Sequence, residues 1–108
     1  MRLAILAGIF ALGFGGTAAA FECPARFEDA QAAIDKVGAE IKAAALPKEQ
    51  AALVHALLDD AKMMLAGARH NHEKPQGAYD HARAIAKADS ALASARAAGM
   101  LLAKFAGG

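Results

Sequence analysis

The sequence predicts an all-α protein, an up-down-up three-helix bundle or an extended helical hairpin, and three observations carry that reading. Alanine, the strongest helix former, fills 32 of the 108 positions, while the β-branched and aromatic residues that strands favour are sparse. Three prolines, Pro24, Pro47 and Pro75, each stand where a helix can begin, because a first-turn N–H has no partner to lose. Between them, apolar residues recur three and four apart, the period of a helix with one buried face.

The first twenty residues form a segment of their own. Met1-Arg2 is a short basic start, Leu3 to Phe14 is uncharged and apolar, and Ala18-Ala19-Ala20 supplies a small-residue site before Phe21. This is the pattern of a cleaved secretory signal over 1–20, and the run is too short for an ordinary transmembrane helix. A single helical domain over 21–108 follows, exported to the periplasm or secreted, with no membrane span once the signal is removed. Arg2 leaves with the signal, and the eleven remaining Lys and Arg then balance eleven Asp and Glu. A neutral chain gives no electrostatic case for binding nucleic acid.

The prolines delimit three helices, at about 25–45, 48–70 and 78–104. The first places Phe27, Ile34 and Ile41 at seven-residue spacing, with Ala30, Val37 and Ala44 between them. The second collects Leu53, Val54, Leu57, Leu58, Ala61, Met64, Leu65 and Ala68 on one face. The third follows Ile85, Ala88, Leu92, Ala95, Gly99 and Leu102, a stripe of mostly small residues that allows close helix approach. Short linkers, Leu46-Pro47 and Asn71 to Gly77, favour antiparallel neighbours. With about twenty large apolar side chains after the signal, the core is thin. That shortage, and the cluster of Leu101, Leu102 and Phe105, predicts association into a homodimer.

Catalytic signatures are missing. The chain has no G-x-S-x-G, no phosphate-binding loop, no dinucleotide fingerprint, no H-E-x-x-H and no C-x-x-C-H for covalent haem. Thr17, Ser90 and Ser94 are its only Ser/Thr hydroxyls. The expectation is a protein that is not an enzyme.

Chemistry concentrates in one place. Three of the four histidines, His70, His72 and His81, lie within twelve residues that also hold Glu73 and Asp80. Imidazole with carboxylate suits zinc, copper or nickel, and a turn between antiparallel helices brings the end of one helix near the start of the next. The candidate metal ligands are therefore His70, His72, Glu73 and His81. His70 and His72, two apart, point to different faces of a continuous helix, so both reach one ion only if the helix frays by Asn71. The same residues also make an ordinary solvated turn, with histidines complementing a helix C-terminus. Cys23 is the lone cysteine. In an oxidising compartment it is a candidate for an intermolecular disulfide, with metal thiolation as the alternative. Met63 and Met64 read as core filler, His55 with Asp59 as an exposed helical pair, and Asp59-Asp60 with Lys62 as a solvated face.

The segment Leu58-Asp59-Asp60-Ala61-Lys62-Met63-Met64-Leu65-Ala66-Gly67-Ala68-Arg69, continued by His70 to Lys74 and His81 to Ala88, resembles the small periplasmic metal-binding helical proteins rich in alanine and histidine. The resemblance, over about 58–88, implies sequestration of a divalent transition metal. It is equally similar to Ala-rich exported helical hairpins without a known ligand. Metal-binding proteins of that kind carry histidine on every helix, whereas the first helix here has none, which leaves room for one site.

Two functional expectations result. The alanine stripes and neutral charge suggest a structural or interaction role in the periplasm, docking a protein partner or a second copy. The histidine-bearing turn suggests binding of a divalent transition metal.

Overall fold

The computed structural model describes residues 15–73 and 77–107, with the backbone alone for 15–22. It contains three helices: α1 over Gly15–Ala44, α2 over Lys48–Glu73 and α3 over Ala78–Gly107. They pack against one another around one apolar core, so the all-α three-helix bundle is the fold. Most of the segment read as a signal, residues 1–14, lies outside the described residues, as does Pro75. Among the described residues no helix is long and apolar enough to cross a membrane.

The buried positions explain why these segments are helices and why they meet. In α1 they are Cys23, Phe27, Ala30, Ile34, Val37 and Ile41; in α2, Val54, Leu58, Ala61, Leu65 and Ala68; in α3, Ala84, Ala88, Ala91, Ala95, Ala98 and Leu102. Each series alternates steps of four and three, the seven-residue period that keeps one seam of a helix facing its partners. The stripe expected in α1 is the one observed, apart from half-buried Ala44. In α2 the buried seam is narrower than the apolar face. Leu57 is only half-buried, Met64 lies at the surface, and Leu53 is 57% exposed.

The seam of α3 departs from the expected stripe. Ala84, Ala91 and Ala98 replace Ile85, Leu92 and Gly99 at its centre, and Ile85 and Leu92 cover its flank, half-buried. The physical reason is size. Counting core positions from one end pairs Phe27 with Ala68 and Ala84, Ala30 with Leu65 and Ala88, and Ile34 with Ala61 and Ala91. An alanine column in α3 lets both neighbours bring larger side chains up to its backbone. Gly99 marks how close α1 comes: a Cβ built there would lie 3.3 Å from Val37 Cγ2.

Four helix ends differ from the expected boundaries, the start and end of α1, the end of α2, and the end of α3, which runs to Gly107 instead of 104. The first helix does not start after Pro24 but runs through it from Gly15. Proline inside a helix lacks one N–H and crowds the preceding turn. α1 ends at Ala44, and Ala45 takes a left-handed φ of 49°, the conformation that closes many helices. The Pro47 carbonyl then accepts the first α2 bond, from the Ala51 N–H at 2.9 Å. The second helix continues past His70 to Glu73. Gly77, with φ of 152°, opens α3, its carbonyl accepting from the N–H groups of Asp80 and His81. Asp80 thus sits in the first turn, where the helix dipole favours a negative charge.

Polar contacts lace the outside. Arg26 Nη1 donates to both Asp89 carboxylate oxygens, at 2.7 and 2.6 Å, tying α1 to α3. Arg69 donates to Gln31 at 3.3 Å, tying α2 to α1, and Lys87 donates to Asn71 at 2.7 Å, tying α3 to α2. The exposed Arg26–Asp89 ion pair is worth at most about 1 kcal/mol, so the apolar seam carries most of the stability.

Candidate metal centre

The up-down-up order places the first core position of α1, the far end of α2 and the start of α3 at the same end of the bundle. The residues there extend the three seams by one step each. Cys23 precedes Phe27 by four, His72 follows Ala68 by four, and His81 precedes Ala84 by three. Where the pattern would call for three apolar side chains, the chain supplies a thiol and two imidazoles. One ligand atom from each, the sulfur and a ring nitrogen of either histidine, all lie within 4.8 Å of one another.

The rings are packed. His72 and His81 meet edge to face, with centroids 5.5 Å from Phe27 to His72 and 5.9 Å from His72 to His81. Phe27 closes the inner side, and the Arg69 guanidinium lies over its ring at 5.7 Å from the centroid. Cys23 has no exposed surface, and both histidines are half-buried.

Buried polar atoms are almost always hydrogen-bonded, and each exception calls for a reason. Here the exceptions coincide with the cluster. The Nδ1 atoms of His72 and His81 are buried without a hydrogen-bond partner, the only such side-chain nitrogen or oxygen atoms among the described residues. Leaving a donor or acceptor so costs about 1–3 kcal/mol. A bound cation would relieve it for any nitrogen presented as a lone pair. A thiolate and two neutral imidazoles are moreover the donors that zinc and copper select.

The expected ligand set is therefore changed. His72 and His81 are brought together, whereas His70 and Glu73 are exposed and outside the cluster. The cause is the length of α2. The helix does not fray at Asn71, so at 100° per residue His70 points about 200° away from His72. Cys23 takes the third place. It is fully buried, next to His72 of α2 and His81 of α3. Extending the α1 seam backwards through Pro24 by one heptad step is the signal that would have found it.

The remaining candidates lie on the surface. Met63 is 72% exposed, and Met64, also exposed, accepts from the Ser94 hydroxyl at 3.8 Å, so neither fills the core. His55, Asp59, Asp60 and Lys62 are exposed, as expected of a solvated face. No protein-family model matches the chain, and no curated protein or solved structure matches it.

Proposed function

We propose that this protein binds one transition-metal ion at the end of its helical bundle, through Cys23, His72 and His81. The reading rests on one observation: a thiol and two imidazoles converge within 4.8 Å where the heptad pattern calls for core residues, and both Nδ1 atoms are buried without partners. The N-terminal segment with its basic start, apolar run and small-residue site supports export, which makes the reading that of a periplasmic or secreted metal-binding protein. An interaction role through the alanine stripes has less to stand on, because the α3 stripe is covered by α1 and α2 of the same chain.

Calorimetric titration of the reduced, oxygen-free protein with Cu(I), supplied as its acetonitrile complex, and with Zn²⁺ and Ni²⁺ tests it. One ion per chain is expected, with binding lost in His72→Ala and His81→Ala and retained in His70→Ala. Binding no tighter than about millimolar for every metal, or unaltered in the two cluster variants, refutes the site.

A further inference from the structure

We infer that the site is built for monovalent copper, Cu(I), in preference to divalent zinc. The inference rests on the metal-binding reading above and adds which ion the cluster takes. Three features point the same way.

The first is donor number. Among the described residues the cluster ends at three donors. Glu73 and Asp80, the carboxylates nearest the two histidines in sequence, contribute no oxygen to it. Zinc in protein sites is almost always four-coordinate, the fourth place being taken by a protein ligand or by water. Cu(I), a closed-shell soft cation, is satisfied by a thiolate and two imidazoles in a trigonal arrangement.

The second is access. Cys23 is fully buried, both Nδ1 atoms are buried, and Phe27 packs against His72 from within. The inner side of the cluster is thus closed by protein. The third is charge. Binding releases the Cys23 thiol proton to solvent as the metal–sulfur bond forms. Cu(I) with one thiolate and two neutral imidazoles then carries no net charge, whereas Zn(II) with the same donors leaves one positive charge in a partly buried site. An uncompensated buried charge is costly. The Arg69 guanidinium, stacked on the ring that abuts His72, raises that cost further.

The test uses the full chain, reduced and kept free of oxygen, in two competition titrations. Cu(I), supplied as its acetonitrile complex, is partitioned against bathocuproine disulfonate, and Zn(II) against a chromophoric zinc chelator. The expected result is one Cu(I) per chain, with an ultraviolet thiolate-to-copper band, held on the order of 1,000-fold or more tighter than Zn(II). Cys23→Ser abolishes the band and weakens Cu(I) by at least about 100-fold, the upper range for losing an outer-shell partner of a metal ligand. Helical circular dichroism verifies that the variant is folded, and the copper-to-zinc ratio of the unaltered protein is decisive even if it is not. Zn(II) bound as tightly as Cu(I) overturns the copper preference and leaves the metal-binding reading standing. Neither ion bound overturns both. Cu(I) held undiminished by a folded Cys23→Ser variant overturns the assignment of the thiol.

Discussion

Leu58 and Leu53 stand five residues apart on α2, about 140° round the helix, and the fold assigns them opposite roles. Leu58 is 1% exposed within the core, and Leu53 is 57% exposed. Leu58→Ala removes three carbons from water-free surroundings. At about 0.8 kcal/mol per buried methylene the transfer loss is ~2.4 kcal/mol, and the residual cavity brings the total to about 3–5 kcal/mol. A domain of this size has a stability of roughly 5–13 kcal/mol. The variant therefore loses a quarter of its stability or more. Leu53→Ala, which empties no enclosed space, stays within about 0.5 kcal/mol of the parent. Urea titration followed by far-ultraviolet circular dichroism measures both, with equal slopes expected because the surface exposed on unfolding hardly changes. A Leu58→Ala loss below about 1 kcal/mol, or equal losses for the two, would refute the assignment of the seam.

Other outcomes are equally specific. Ala91→Leu forces a larger side chain into the alanine column and destabilises by about 1–3 kcal/mol, read from the same urea titration. Gly38→Ala, whose added Cβ meets nothing within 4 Å, stabilises α1 by about 0.5–1 kcal/mol, seen as a higher midpoint. Saturating metal at 100 times its dissociation constant adds about 2.7 kcal/mol, or roughly 10–20 °C in Tm by calorimetry; the shift vanishes in His72→Ala. Bound metal is released on acidification, because protons compete for the thiolate and both imidazoles, and it rebinds on neutralisation, monitored by the chelator competition.

The helical fold was legible because its cause is local. Ile34, Val37 and Ile41, like Leu58, Ala61 and Leu65, announce their seams by spacing alone. The α3 seam was misplaced because Ile85 and Leu92 are the larger residues and draw the eye, whereas the core needs the alanines beside them to admit both neighbours. The candidate site was half legible. His72 and His81 fall in a conspicuous turn, but Cys23 lies about fifty residues earlier and joins them only through the return of α2 and α3. Pro24 also suggests a helix start at Ala25, two residues too late to include it. His70 and Glu73 were drawn in by proximity along the chain, which an unbroken helix turns into separation in space.

Pro24 lies four residues after the cleavage point proposed from the sequence. A cut through an α-helix ordinarily severs four backbone bonds, those from the four N–H groups after the cut to the carbonyls of the preceding turn. At the Ala20–Phe21 junction the fourth of those groups would belong to Pro24, which has none. Removal of residues 1–20 would break three bonds instead of four, and the shortened helix would begin with its next bond, from Ala25 to Phe21. The proline thus weakens α1 at the signal boundary proposed from the sequence, leaving the Cys23 thiol two residues inside the new amino terminus.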